Sequence, residues 1–265
     1  MEHITSFDTA LASAGYKVHP PFFDRDWIVQ RISDGMAIHI VPRWDDLRPW
    51  DGGAPLRWIV HWSAQRRQMR LIHAGTLATQ GHGVLLCGAG GAGKSGTVLS
   101  GLAQGLSSVG DDYILLDQRD TPRAERIYTV MKQDDKGLAR FPDLDAKLRS
   151  VARNWHGKAE FDPRHTFPGQ IISSFELVAI ILPRVAAVPA CELKPMARRQ
   201  ALDTLTRAMN AEFFGEISQT LFTMNRLLAR LPAYELALSR DPADIAQTIT
   251  RLIFELTSLD ALERA

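Results

Sequence analysis

One short stretch constrains this chain more than any other: residues 88–96, which read Gly-Ala-Gly-Gly-Ala-Gly-Lys-Ser-Gly. It fits the pattern G-x-x-x-x-G-K-[ST], in which glycines let the backbone wrap N–H donors around phosphate oxygens at the start of a helix. The context agrees, because Val84–Cys87 is typical of a short buried strand and residues 97–103 of a helix interior. The stretch therefore predicts a phosphate-binding loop, with a glycine-rich turn or a decayed site as the alternative.

The chemistry expected of this loop divides between its backbone and two side chains. Lys94 is expected to reach the β- and γ-phosphates of a nucleotide, and Ser95 to ligate Mg²⁺. The residues predicted to bind the nucleotide are Gly88, Ala89, Gly90, Gly91, Ala92, Gly93, Lys94, Ser95 and Gly96.

Two acidic positions compete for the next role. Asp117 ends a four-residue apolar run, as the Mg²⁺-associated aspartate of many phosphate-loop enzymes does, whereas Asp111 and Asp112 begin the same run. If the strand runs antiparallel to the preceding helix, its start returns to the phosphate end, which favours Asp111 and Asp112. Adjacent carboxylates can divide the work, one holding a metal and the other accepting a hydroxyl proton. A solvated turn with an Asx cap is the structural alternative.

Composition limits the partners and the compartment. Among 265 residues, 31 Lys and Arg nearly cancel 30 Asp and Glu, so no overall charge favours nucleic acid or an anionic membrane surface. No apolar run is long enough to span a bilayer, and Met1–Thr5 lacks the start of a secretory signal, so we expect a cytoplasmic protein. Cys87 and Cys191 lack metal-ligand spacing and are more typical of free thiols than of a disulfide.

The first seventy residues predict a small β-rich module that is separate from a nucleotide domain over residues 71–265. A helix over 7–14 precedes a hairpin of strands 27–32 and 36–41, and a second strand pair is predicted over 56–62 and 69–73. Trp27, Trp44, Trp50, Trp58 and Trp62 could form a stacking platform, but packing within the module is the favoured interpretation.

The rest of the chain predicts a core with no further chemistry. Strands are expected over 127–131, 177–182 and 234–238, the second ending at Pro183. Helices are expected over 141–155, over 198–230 with a break near 214–215, and over 244–256; residues 156–169 read as a polar loop able to close over a substrate.

Four elements together carry a resemblance to a known family. His73, the segment Gly81-x-Gly83-Val84-Leu85-Leu86, the loop ending at Ser95 and the triplet Gly110-Asp111-Asp112 resemble the catalytic domain of the bacterial HPr serine kinase/phosphorylase family. Ser95 follows His73 by 22 positions and precedes Asp112 by 17, as in that family. Residues 180–185 and 231–236 are similar to shorter HPr-kinase-related proteins of peptide-modification clusters, including lasso-peptide kinases, and the resemblance spans residues 70–255.

The resemblance implies a fold and a role for each matching residue. The fold would be an α/β, HPr-kinase-like phosphate-loop domain, in which Lys94 and the loop amides bind ATP and Ser95 ligates Mg²⁺. Asp112 would accept the proton of the substrate hydroxyl, Asp111 would support it or the metal, and His73 would lie beside the reacting phosphate.

The chain also departs from that family at two places. The glutamate-bearing Glu-x-Arg-Gly-Leu-Gly segment has no counterpart, which puts reverse phosphorylase activity in doubt. The family's later catalytic arginine is not visible either, and Lys132, Lys136 and Arg184 are the candidates to replace it.

The resulting hypothesis is an ATP- and Mg²⁺-dependent kinase acting on a serine or threonine hydroxyl of a protein or peptide. A small-molecule kinase on the same scaffold and a non-catalytic ATP-binding interaction protein are the alternatives. Neither nucleic acid nor a membrane is expected as a partner, and a homo-oligomer is left open.

Overall fold

Two sheets organise the chain, a small antiparallel one near the N-terminus and a larger mixed one after it, so the chain is of the mixed α/β class predicted from its sequence. The structure, a computed structural model, describes residues 9–19, 27–41, 43, 51–210 and 217–263. The chain divides into two compact units, Met1–Leu71 and Ile72–Ala265.

The first unit holds the small sheet and two helices. Its elements are α1 (residues 9–13), β1 (Tyr16–His19), β2 (Trp27–Arg31), β3 (Ala37–Ile40) and α2 (Arg57–Arg66). The predicted hairpin is confirmed, because β2 and β3 pair antiparallel with Trp27 opposite Ile40. Strand β1, which pairs with β2, was not predicted from the short segment between Gly15 and Pro20.

The prediction of a strand over residues 56–62 is wrong, because this segment enters helix α2. A short apolar run cannot be assigned to strand or helix by periodicity alone, and here the helix buries His61, Trp62 and Ala64. Trp58 and Trp62, four residues apart, place their ring centroids 6.3 Å apart, as neighbours on one helical face do. Trp44 and Trp50 lie outside the described residues.

The second unit is built around the mixed sheet. Its strands are β4 (Met69–His73, which crosses the boundary between the units), β5 (Gly75–Thr79), β6 (His82–Leu86), β7 (Tyr113–Asp117), β8 (Arg123–Arg126), β11 (Ser174–Val188), β12 (Glu192–Pro195) and β13 (Ala233–Ser239). A separate pair consists of β9 (Met131–Gln133) and β10 (Ala159–Phe161). The helices are α3 (Lys94–Ala103), α4 (Asp135–Leu138), α5 (Pro142–Leu148), α6 (Pro163–Thr166), α7 (Arg198–Asn210), α8 (Ile217–Leu228) and α9 (Pro242–Glu263).

Strand β11 is the centre of this sheet. The order is β12-β13-β11-β8-β7-β4, and β11 also pairs in parallel with β6, which in turn pairs with β5. Helices cover both faces of the sheet, because successive residues of β11 pack into different core clusters. Ile181 packs into the cluster that contains α3 and α9, and Ile180 into the cluster that contains α7 and α8. A strand buried on both faces needs a continuous apolar sequence, which is why this one was visible from sequence.

Pro183 does not end that strand, contrary to prediction. The amide of Ile180 faces β13, donating to Pro232, whereas the carbonyl of Ile181 faces β6, accepting from Cys87. Because this direction alternates along a strand, the nitrogen of Pro183 faces the β6 side, where pairing has already stopped at Leu86. The proline therefore costs the sheet no hydrogen bond, and β11 continues to Val188.

Other boundaries predicted from sequence also change. Residues 127–130 belong to no strand, residues 149–155 are not helical, and the segment 156–169 contains β10 and α6 in place of one polar loop. The helices on both sides of the predicted 214–215 break, the strand near 234–238 and the helix near 244–256 are confirmed, while the break itself lies outside the described residues. Cys87 and Cys191 are both free thiols. No helix of the described residues combines the length and apolar character needed to cross a bilayer.

The tight pairing of β5 and β6 generates a prediction about stability. A Cβ on Gly83 would lie 2.3 Å from the carbonyl oxygen of Leu77 and 2.6 Å from the ring of Phe175, both fixed in the core. Gly83→Ala should therefore lower the free energy of unfolding by at least about 2 kcal/mol, measured by urea denaturation. Gly90→Ala is the control, because a Cβ there meets no atom within 4 Å. Equal stability of the two variants would contradict this packing.

Candidate nucleotide-binding and catalytic site

The predicted phosphate loop connects β6 to α3. Gly91 and Gly93 have φ angles of 81° and 105°, which side-chain-bearing residues rarely adopt. A Cβ on Gly93 would in addition lie 2.5 Å from Leu238 Cδ1. The loop thus reaches the N-terminus of α3 by a path that requires glycine, and the first-turn amides of α3 follow directly.

Lys94 is folded back over this loop. Its side chain is buried, and Nζ donates hydrogen bonds to the carbonyl oxygens of Gly88 at 2.7 Å and Ala89 at 3.3 Å. The cation is therefore held inside the loop, beside amides that an anion would bind. This is the position from which an ammonium group can contact a phosphate chain.

Asp111 lies next to the first turn of α3. The residue is 4% exposed, and its Oδ1 has no hydrogen-bond partner among the described residues. Burial raises the pKa of Asp111 to about 7, partly opposed by a hydrogen bond with Ser95, and the neighbouring Asp112 raises it further. A buried carboxylate oxygen without a partner is costly, and a bound cation would remove that cost.

Ser95 and Asp111 fit a Mg²⁺ ion that also takes oxygens from a nucleotide. Mg²⁺ prefers oxygen ligands and in phosphate-transferring sites commonly takes only one or two carboxylates, the rest being phosphate oxygens and water. In the described part of the chain, no group of three or more His, Cys, Asp or Glu residues is arranged to hold a metal by itself. The hydroxyl of Ser95 and the unpaired oxygen of Asp111 are the two groups that would contribute.

Asp112 is the centre of a second cluster. His73 Nε2 lies 3.2 Å from Asp112 Oδ1, and Lys132 Nζ lies 2.8 Å from Oδ2, so each carboxylate oxygen has a different partner. The amide of Ala74 donates to the backbone carbonyl of Asp112 at 3.1 Å, which fixes the end of β4 beside the start of β7. The ring of His73 also lies against Tyr113, with centroids 5.5 Å apart.

The charge state of Asp112 follows from these contacts. Burial by itself would raise its pKa, but the hydrogen bond from His73 and the charge of Lys132 outweigh it and hold the pKa well below the usual range. The side chains of His73 and Asp112 are each 22% exposed, so a group from solvent can reach them. Asp112 is thus an ionised, accessible carboxylate, whereas the pKa of the neighbouring buried Asp111 is raised.

The turn that carries both aspartates is held by Thr76 of β5. Its Oγ1 accepts hydrogen bonds from the amides of Val109 at 3.1 Å and Gly110 at 3.3 Å. The same oxygen lies 2.9 Å from Ser108 Oγ and 3.0 Å from the carbonyl of Gly110. A single buried hydroxyl therefore fixes the backbone immediately before Asp111.

Asp117, the competing position, lies at the other end of β7. It lies five positions after Asp112, about 16 Å along the strand. Its carboxylate is paired with Arg119, with Oδ2 2.6 Å from Nη2, and this hydrogen bond lowers its pKa. The structure therefore brings Asp111, with Asp112 directly after it, and not Asp117, to the predicted phosphate loop.

Of the three cations considered from sequence, only Lys132 contacts the site. Arg184 pairs with Glu235 at 3.2 Å, and Lys136 is exposed on α4. Lys132 reaches Asp112 because Met131 and Gln133, its neighbours in β9, turn inward and leave it on the other face. Thr76 and Ser108 were not predicted at all, since a lone hydroxyl in a strand or loop carries no motif.

The role of Thr76 can be tested by removing its hydroxyl alone. Thr76→Val keeps the shape but leaves the buried amide of Val109 without its acceptor, so the free energy of unfolding should fall by about 2 kcal/mol in urea denaturation. Thr204→Val is the matched control, because the exposed hydroxyl of Thr204 donates a hydrogen bond only to the carbonyl of Gln200, one turn earlier in its own helix. This change should alter the free energy of unfolding by no more than about 0.5 kcal/mol. Equal effects would show that the hydroxyl of Thr76 does not hold the turn.

Comparison with known proteins gives one structural likeness to report. The chain is similar to the Hpr(Ser) kinase/phosphatase from Coxiella burnetii, with 13% sequence identity and a TM-score of 0.44, over 74% of this chain and 97% of that one. No family model and no curated protein matches the chain. At 13% identity, no residue of this chain can be given a role by alignment.

Proposed function

We propose that this protein is a kinase that transfers the γ-phosphate of ATP to a serine or threonine hydroxyl of a protein or peptide, with Mg²⁺ as its metal. One observation carries the proposal: the ionised carboxylate of Asp112, contacted by His73 and Lys132, lies beside a complete phosphate loop and the buried Asp111. A nucleotide-binding loop alone would support binding without chemistry. The added cluster supplies a proton acceptor and a cation where the terminal phosphate would lie.

Binding of the triphosphate falls to the loop and to Lys94. The amides of the loop and of the first turn of α3 point toward an anion, and Lys94 exchanges its bonds with Gly88 and Ala89 for phosphate oxygens. Ser95 and Asp111 would hold Mg²⁺, which neutralises phosphate charge when bound. Burial raises the pKa of Asp111, so its ionised form lacks solvation that a bound cation would replace.

The transfer step needs one proton acceptor. The acceptor hydroxyl oxygen forms a bond to the γ-phosphorus while the bond from that phosphorus to the β–γ bridging oxygen breaks, and ADP leaves. Asp112 takes the hydroxyl proton. Its low pKa makes it a weak base, which suffices because the transition state of phosphoryl transfer is loose and needs positioning and charge neutralisation more than a strong base.

Lys132 supplies the mobile positive charge in this proposal. Its ammonium group holds Asp112 in the free protein and lies within reach of the same space that the terminal phosphate would enter. As the phosphoryl group transfers, negative charge spreads over its peripheral oxygens, and a nearby cation lowers that energy. Lys132 therefore takes the part for which the sequence offered three candidates.

The acceptor class rests on the sequence resemblance to peptide-modifying kinases together with the access to Asp112. Its side chain and that of His73 are partly exposed, so a hydroxyl presented on an extended chain can reach the carboxylate. A library of peptides with a single serine or threonine is accordingly the assay substrate for the experiments that follow.

The first experiment compares the two ends of β7. Asp112→Asn keeps the shape of the side chain but removes the proton acceptor, so the rate of transfer from γ-labelled ATP should fall by about 10²–10⁴-fold while ATP affinity persists. Asp117→Asn, at the other end of the strand where the carboxylate pairs with Arg119, should cost little rate. A silent Asp112→Asn would contradict the base assignment, and ATP binding without transfer by the wild type would favour a non-catalytic interaction protein.

The second experiment isolates the cation. Lys132→Met should lower kcat by about tenfold to a hundredfold with little change in KM for ATP, because the charge acts on the transition state. Lys132→Arg should restore part of the rate, and Lys136→Met, the same change on exposed α4, should leave it unaltered. A Lys132→Met variant with normal kcat but reduced unfolding free energy would mean that this lysine serves only the fold.

A further inference from the structure

A groove of about 370 Å³ lies at the C-terminal end of helix α3, and His73, Asp112 and Lys132 are not among its lining residues. Its lining combines two aromatic rings, two cations and small or polar groups from α3, α5, α6 and the start of α9. They include Ala103, Arg140, Phe141, Asp143, Lys147 and Phe167. The volume lies near the lower end of the ~300–1,000 Å³ that small-molecule sites have, and aromatic walls with a few polar groups are their usual composition.

Helical geometry relates this groove to the phosphate loop. Successive residues of an α-helix turn by about 100°, so Gly96, Ser100 and Ala103 share one face of α3. Ser95 lies on a different face, toward Asp111. Gly96 directly follows the loop lysine and serine, and Ala103 is about 10 Å further along the axis. The part of the groove lined by Ala103 therefore lies on the same face of α3 as Gly96, which directly follows the loop lysine and serine.

Arg140 connects Gly96 with the groove. Its Nη1 lies 3.4 Å from the position that a Cβ on Gly96 would occupy, so the guanidinium reaches the first turn of α3. The same side chain lines the groove. A cation at this point lies where the phosphate chain of a nucleotide leaves the loop.

The guanidinium of Arg140 also lacks the partners that a half-buried cation normally has. No carboxylate of the described residues forms an ion pair with it, Nε donates to the carbonyl of Arg240 at a long 3.3 Å, and Nη2 is buried without an acceptor. Burial accordingly lowers its pKa, although the group stays charged. An unpaired buried donor calls for an acceptor, and an anionic or hydroxyl-bearing ligand in the groove would provide one.

We propose that this groove holds the nucleoside part of the bound nucleotide, with Arg140 contacting the ribose or the first phosphate and the rings of Phe141 and Phe167 lying against the base. The inference rests on the proposed function, because it takes the triphosphate to be in the loop. The occupant is inferred from Arg140, whose guanidinium lies next to Gly96 at the end of the loop and whose side chain lines the groove. The carboxylate of Asp143, also in the lining, can accept from ribose hydroxyls.

The test separates the nucleoside from the phosphates by comparing two ligands, Mg-ATP and Mg-tripolyphosphate, by isothermal titration calorimetry. Ala103→Phe fills the groove from an exposed helical position without touching the core. We expect the Kd for ATP to rise by about tenfold or more, toward the value for tripolyphosphate, whose own Kd stays unchanged. Ala146→Phe, the same change at an exposed position of α5 outside the lining, should alter neither Kd.

Arg140→Gln provides an independent variant, since it removes the charge and keeps a polar side chain of similar length. It should weaken ATP binding by about tenfold while affecting tripolyphosphate less. Unchanged ATP affinity in both variants overturns the inference, and so does an equal loss of ATP and tripolyphosphate in both. A wild-type protein that binds neither ligand would instead overturn the phosphate-loop assignment, and the proposed function with it.

Discussion

The hydrogen bonds of one buried hydroxyl, that of Thr76, set the geometry on which the candidate site depends. They tie the middle of β5 to the backbone before β7, and the two aspartates follow at once. Strand β5 is itself paired to β6, whose end becomes the phosphate loop. The acidic groups and the loop are therefore both anchored to the β5–β6 pair. Their relative position does not depend on long flexible side chains.

Two adjacent carboxylates of this site have opposite electrostatic environments. Asp111 is buried beside Ser95 with one oxygen unpaired, which raises its pKa to about 7, whereas two basic side chains hold the pKa of Asp112 low. Such a separation is the usual sign that neighbouring acids have different tasks. In the proposed function, one of them would hold the metal cation and the other, already ionised, would take the proton.

How far sequence reasoning reached depended on whether an interaction was local. The phosphate loop and the choice of Asp111 and Asp112 over Asp117 followed from a motif and from the return direction of one strand. Lys132 was one of three candidate cations, but the sequence could not favour it over the others. Its approach to Asp112 depends on the pairing of β9 with β10, which no local sequence pattern predicted. Thr76 was invisible for the same reason, and α2 was misassigned because seven apolar-rich residues suit either a strand or a helix.

The proline within β11 has a consequence beyond its own strand. Past Leu86 the β6 side of β11 borders the phosphate loop, with Val185 3.4 Å from the Cβ position of Gly93. An open strand edge would be free to recruit another extended segment there, whether from this chain or from a second copy. Because Pro183 offers no N–H at this point, such a ladder would lack a rung where it would have to begin. Pro183 thereby disfavours β-pairing at the strand edge next to the predicted phosphate loop.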